Sequence, residues 1–184
     1  MARIYVVPMR ALGRRPKLGA AARKTLADWH RNVRIFHIAH ERSASSFHNR
    51  SRQYGVASLT LSAVVGTAIF ATINESPDMA LQILAGLLSV LAAVLAALQS
   101  FLGYPQLTEQ HRQAVLAYGR IRRRMEVALA GDPELITSEL LSAFATELDT
   151  LRLTAPSLPQ RVHDRAVQDV DEAEGRARAP AAGA

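Results

Sequence analysis

Two apolar runs without a single charged residue divide the chain: GVASLTLSAVVGTAIFATI over 55–73 and MALQILAGLLSVLAAVLAALQSFL over 79–102, with the polar Asn74-Glu75-Ser76-Pro77-Asp78 between them. At about 1.5 Å per residue the first reaches about 28 Å and the second about 36 Å, each enough to cross a bilayer's hydrocarbon core. Core helices of soluble bundles seldom go so long without Asp, Glu, Lys or Arg, so the pattern predicts a transmembrane helical hairpin with a turn at 74–78. On the N-terminal side, 23–54 holds no Gly or Pro and repeats apolar residues at helical spacing through Leu26, Trp29, Val33, Phe36, Ala44, Phe47 and Tyr54. That spacing predicts one amphipathic helix running straight into the first span, with Arg31, Arg34, Arg42, Arg50 and Arg52 on a wet face. Beyond the second span, Gly103-Tyr104-Pro105 predicts a break or bend, because Pro removes a helix hydrogen bond and disfavours helix in the residue before it.

Helical spacing resumes over 105–130 through Leu107, Ala114, Tyr118, Ile121, Met125 and Leu129. The hairpin returns this segment to the surface that the first helix left, so the two should run antiparallel and bury Trp29, Val33, Phe36, Tyr118, Ile121 and Met125 between them. Gly131-Asp132-Pro133 then predicts a stop, an N-cap and a first helical turn, opening a helix over 133–154 with the stripe Ile136, Leu140, Phe144, Leu148 and Leu151. Residues 160–184 are acidic and then rich in Ala, Gly, Arg and Pro, and read as a largely disordered polar tail with room for a short helix. Residues 1–22, with Arg10, Arg14, Arg15, Lys17 and no acid, read as a flexible basic tail. They lack the long apolar run of a secretory signal, although an organellar transit peptide shares their composition. The fold class expected is therefore all-α: a two-helix membrane hairpin with an antiparallel helical bundle beside it.

Charge orients the hairpin. Twelve Lys or Arg against two acids precede Gly55, while the turn carries Glu75 and Asp78 and no base. Lys and Arg are retained on the cytoplasmic side, so both termini should be cytoplasmic in a two-span protein of the inner membrane. The net charge of +6 and pI near 10.5 are explained by topology and anionic lipid, which makes the bilayer the first partner and nucleic acid a minor one. Cys is absent, which removes disulfides and thiolate chemistry.

Within the spans, small residues recur every fourth position, among them Ser58, Ser62 and Gly66, then Ala63, Thr67 and Ala71, and Ala85, Ser89, Ala93 and Ala97. Such ladders let helix backbones approach closely in lipid, which makes Ser62, Gly66, Ala85, Ala93 and Ala97 candidate packing positions. Gln82, Ser89 and Ser100 point within about 20° of one direction at 100° per residue, giving the second span one mildly polar face. That face either lines a water-filled path in an oligomer or supplies interhelical hydrogen bonds, and on this feature alone packing is favoured over a pore.

His37, His40 and Glu41 lie within one turn of each other and could share a metal ion, but with no third strong ligand they read as polar contacts in a helix seam. There is no Walker loop, GxGxxG, GxSxG or HExxH, and a lone His111 or Tyr118 has no partner constellation. The expectation is a protein without enzyme chemistry, cofactor or metal.

The ordered features over about 23–159 resemble the SLATT domains, two-transmembrane effectors of bacterial nucleotide-dependent conflict systems. The residues that carry the likeness are the His40-Glu41-Arg42 helix leading into the first span, the two spans, the series His111-Arg112, Tyr118, Arg122-Arg123 and Glu126, and a terminal helix running to Ala155-Pro156. The resemblance implies a pore-forming or membrane-perturbing antiviral effector that oligomerises in the membrane. It also implies activation by a nucleotide second messenger or by a sensor or synthetase protein of the same system. It carries no catalytic residues. A membrane anchor or adaptor whose bundle binds a protein partner is the competing expectation, and an RNA-binding membrane protein is a third.

Overall fold

A computed structural model describes residues 18–71 and 79–178. Within them the chain forms α1 (Leu18–Ala71), α2 (Met79–Phe101), α3 (Tyr104–Ala130), a 3-10 turn (Pro133–Leu135), α4 (Ser138–Thr154) and α5 (Gln160–Arg178), with no strand. The expected turn at 74–78, the last two residues of the first run and most of the basic tail lie outside the described residues.

The spine is α1, 54 residues long, or about 80 Å at 1.5 Å per residue. Nothing between 23 and 54 breaks it, and Gly55 does not either, so one rod carries both the charged half and the apolar half. Along the charged half lies α3, antiparallel; along the apolar half lies α2. Gly103 lets the chain pass between them, because it holds φ 57°, the left-handed region that glycine occupies without a Cβ clash. Pro105 follows in the first turn of α3, where a missing N–H costs nothing.

The predicted pairing of α1 with α3 is present. Leu26, Val33, Tyr118, Ile121 and Met125 are buried, and Trp29 and Phe36 pack against them partly buried. The apolar stripe of α4 closes this core with Phe144 and Leu148, joined by Ile136 from the preceding turn. The start of α4 differs from expectation. Asp132 caps only the short 3-10 turn, accepting from the Glu134 N–H, while the α-helix begins at Ser138 under Thr137, whose hydroxyl accepts from the Leu140 N–H at 3.2 Å. Thr is a good N-cap, if weaker than Asp, and it stands where the apolar stripe can face the core.

Both ends of the described chain also correct the sequence expectation. Residues 18–22 belong to α1, with Ala22 buried in the core. Residues 160–178, expected to be largely disordered, form α5. Its Val162, Ala166 and Val170 recur every fourth position and pack against Ile35, Ile38 and Ala39 of α1 in a second apolar cluster. Its acids meet bases that were expected to be wet: Arg31 pairs with Asp171 and Glu174, and Arg42 with Asp169. The acidic segment is thus neutralised across a helix interface, and the narrow Ala-and-Val face needs little apolar mass to dock.

The apolar half of the hairpin has a different character. Almost none of its apolar windows is buried inside the protein, and Leu59, Phe70 and Phe101 stand 72%, 76% and 88% exposed. Helices of a soluble core would hide such side chains. A continuous sheath of them requires lipid as solvent, so the chain is a membrane protein.

Candidate functional site

Beneath the hairpin, the seam of α1 and α3 contains a column of stacked rings. Phe36 stacks on Tyr118 at 5.6 Å between centroids, Tyr118 on His40 at 5.4 Å, and His40 lies 5.1 Å from His111. His111 stacks on Phe47 at 5.4 Å, Phe47 on Tyr104 at 5.9 Å, and Tyr104 on Tyr54 at 5.9 Å, where the spans begin. The geometry follows from spacing. His40, Phe47 and Tyr54 recur every seven residues on α1, and Tyr104, His111 and Tyr118 every seven on α3. Seven residues are close to two full turns, so each set returns to one face, and antiparallel pairing lays the two sets against each other. Sequence reasoning singled out His111 and Tyr118 but missed the sevenfold repeat of rings, which was the signal for the column.

The centre of the column is polar. His40 Nδ1 lies 2.9 Å from His111 Nδ1, and the two residues are 1% and 2% exposed. Burial pushes the His40 imidazole down to about 4, helped by the adjacent His111 and His37, and burial likewise lowers His111. Both rings are therefore neutral at pH 7, so one Nδ1 donates and the other accepts. His37 is held low by burial and then by Arg122 and Arg123, against the pull of Glu41. It points away from His40's partner and toward Gly119, where an added Cβ would come within 3.3 Å of its Nε2. Among the described residues, no three His, Asp or Glu side chains converge in a way that could hold a metal ion.

The other motif residues take two roles. Arg122 donates to Glu126 at 2.8 Å, and Glu126 also meets His30 of α1 at 3.2 Å, tying α3 to α1 at the rim of the core. These bonds, that from Arg122 foremost, hold the Glu126 carboxyl below its ordinary value. Arg112 and Arg123 are exposed.

In the spans, the α2 residues that lose exposure are Ala85, Leu88, Ala92, Leu95 and Gln99, spaced three and four apart. They face α1, where the Ser58 hydroxyl donates to the Ala92 carbonyl at 3.3 Å and Gly55 leaves room for Gln99. Of the candidate packing residues only Ala85 falls in this seam. Ser62, Ala93 and Ala97 are exposed, and Gly66, at the seam's edge, has no atom within 4 Å of where a Cβ would stand. The polar face lies about a quarter turn from the seam. Gln82 and Ser89 share a groove of about 540 Å³ with Val64, Val65 and Ala68, and Ser100 lies further along at the other end of the helix, exposed.

Two separate parts thus meet at Gly103: a lipid-facing hairpin with unpartnered small and polar positions, and a ring-stacked seam that reaches it from the bundle. No curated protein and no solved structure matches the chain. A family model does, that of the SMODS and SLOG-associating 2TM effector domain family 4, over residues 25–131. The match covers the charged half of α1, both spans and the ring column, and ends at the C-cap of α3, short of the Pro159 limit expected from sequence, so α4 and α5 lie beyond it. Since it takes in more than half of the chain, this protein belongs to the SLATT family, within the SMODS and SLOG-associating two-transmembrane effector domains.

Proposed function

We propose that the chain is a membrane-perturbing effector of a bacterial nucleotide-signalled conflict system, one that self-associates through its spans in the inner membrane and opens an ion path. The observation that carries this reading is the division of labour in the hairpin. Its internal seam uses Ala85, Ala92 and Gln99, and leaves Gln82, Ser89 and Ser100 exposed on another face. Polar side chains facing acyl chains are costly, which favours a second protein surface or water against them. Two helices cannot enclose water, so a path needs several copies, and the open space beside Gly66 and Gly86 admits a neighbouring helix closely. The protein's partners in this reading are the bilayer, further copies of the chain, and a nucleotide messenger or a sensor or synthetase protein that signals to the bundle.

Ion flux from liposomes reconstituted with the purified chain tests the reading. Gly66→Leu should lower both crosslinked oligomer and flux, because its side chain occupies the space a neighbour needs. Ser89→Leu should leave the oligomer intact and lower flux by drying the path. Flux unchanged by Ser89→Leu would remove this face from the path. An anchor that only presents the bundle to a protein partner would give neither oligomer nor flux.

In the proposed topology, both ends are cytoplasmic. A cysteine replacing Ser76 should react with an impermeant reagent added outside intact cells, and one replacing Ser157 should react only after lysis. The opposite labelling would invert the orientation and put the bundle outside.

A further inference from the structure

Where α1, α3, the end of α4 and the start of α5 meet, the bundle has an open cleft of about 320 Å³. Phe36 and Tyr118 form its floor, and Arg152, Ser157, Gln160 and His163 contribute polar groups, with Pro156 and Leu158 on the remaining wall. No acidic side chain lines it. Two carboxylates border it: Asp164, whose Oδ1 accepts from the Gln160 Nε2 at 2.9 Å and lies 3.6 Å from the His163 Nδ1, and Asp149, in an adjoining smaller cleft that Arg152 also lines.

The Gln160 amide is engaged by Asp164, and the unspent donor around this space is the Arg152 guanidinium. Among the described residues Arg152 has no ion-pair partner, in contrast to Arg31, Arg42, Arg122 and Arg124, each of which meets a carboxylate. The Nδ1 of His163 is shielded from solvent and makes no hydrogen bond, with the Asp164 carboxylate 3.6 Å away, and its ring lies 5.6 Å from Phe36. Arg152 acts on the Tyr118 hydroxyl electrostatically, opposing the upward push of burial on its acidity. A guanidinium without an ion-pair partner and with hydroxyls nearby suits a tetrahedral oxyanion, and the apolar wall suits an uncharged body attached to it.

We propose that this cleft is a binding site for a small soluble organic phosphate, with its phosphate on Arg152 and its flat or apolar body against Phe36, Pro156 and Leu158. A lipid headgroup has the same chemistry, but Phe36 lies 19 residues before Gly55 on one unbroken helix, about 28 Å from the membrane boundary. A soluble ligand therefore fills the site. The consequence rests on the effector reading: Phe36 and Tyr118 are the far end of the ring column, so a ligand seated on them presses on the seam that leads to the spans.

Binding is measured on the full chain in lipid nanodiscs by calorimetry, without any current, using phenyl phosphate, adenosine 5′-monophosphate and inorganic phosphate as probes. The two organic phosphates should bind more tightly than inorganic phosphate. Arg152→Gln should weaken them by about tenfold or more with the melting temperature unchanged, since Arg152 is exposed and unpaired. Binding by none of the probes, equal binding to Arg152→Gln, or binding that tracks the anionic-lipid content of the disc would each overturn the site. Absence of ion flux with binding intact would overturn the effector reading and leave the site standing.

Discussion

Replacing Met125 by Asp is expected to unfold the helical bundle while the hairpin remains inserted. Met125 is fully buried, at the centre of the core that α1, α3 and α4 build with Leu26, Tyr118, Ile121 and Phe144. None of those core neighbours carries a positive charge that could neutralise a carboxylate. The substitution therefore buries an unpaired charge or forces it to take up a proton, at a cost of several kcal/mol. Domains of this size are stable by only about 5–15 kcal/mol, so the loss is a large share of the whole. Val127, two residues on, is 74% exposed, and Val127→Asp should shift stability by no more than about 0.5 kcal/mol. Thermal unfolding and limited proteolysis of both variants in the same detergent measure the contrast. Equal melting temperatures would mean that α3 does not pack as described.

Acidification is expected to loosen the same bundle from a different point. His40 and His111 are buried as a neutral pair, with the His40 value near 4 against an ordinary 6.5 and His111 also lowered. In the unfolded chain both rings take a proton near pH 6.5; in the folded chain they resist it. The unfolded state therefore binds more protons between those values, and stability falls as the pH drops from about 6.5 toward about 4. For His40 alone the loss is on the order of 3 kcal/mol. The surroundings add to it, because His37 lies beside His40 on α1, Arg122 and Arg123 lie beside His37, and Tyr118 stacks on His40 from α3. Glu41 opposes by favouring the charged form of His37. Melting temperature followed from pH 7.5 to pH 4.5 should fall in the native chain and fall much less when His40 and His111 are both replaced by Leu. Parallel curves for the two proteins would show that the pair does not set the acid limit.

Much of the architecture was legible because the bilayer imposes a strong pattern. An uncharged run of 19 residues and another of 24 leave few alternatives, and Gly103 with Pro105 marks where the second must end. The α1–α3 pairing was legible too, since a hairpin returns its flanks to one surface and both flanks carry an apolar stripe. The acidic run from Asp169 to Glu174 concealed α5, because an acid run signals solvation unless the bases that meet it are known, and Arg31 and Arg42 lie more than 120 positions away in sequence. Tertiary ion pairs of that separation leave no local trace. The start of α4 was misplaced by competition between two good caps, Asp132 and Thr137, whose spacing from the apolar stripe decides which one opens the α-helix.

The site was legible only in part. His111 and Tyr118 stood out through resemblance to a family, but the ring column depends on the register between two helices. Register becomes visible only when the sevenfold spacing of His40, Phe47 and Tyr54 is set against that of Tyr104, His111 and Tyr118. The small-residue ladders identified positions able to pack without saying which partner they face. Ala92 rather than Ala93 is buried against α1, a difference of one position and about 100° around the helix.

Membrane potential in bacteria induced to make the chain decides whether the spans conduct, because permeation by assembled spans must discharge it. Depolarisation and arrested growth are expected with the native sequence, and a clear reduction of both with Ser89→Leu at equal membrane abundance. A membrane potential that holds steady at high expression, and that stays steady when the chain is activated in its native host, would contradict conduction by the spans.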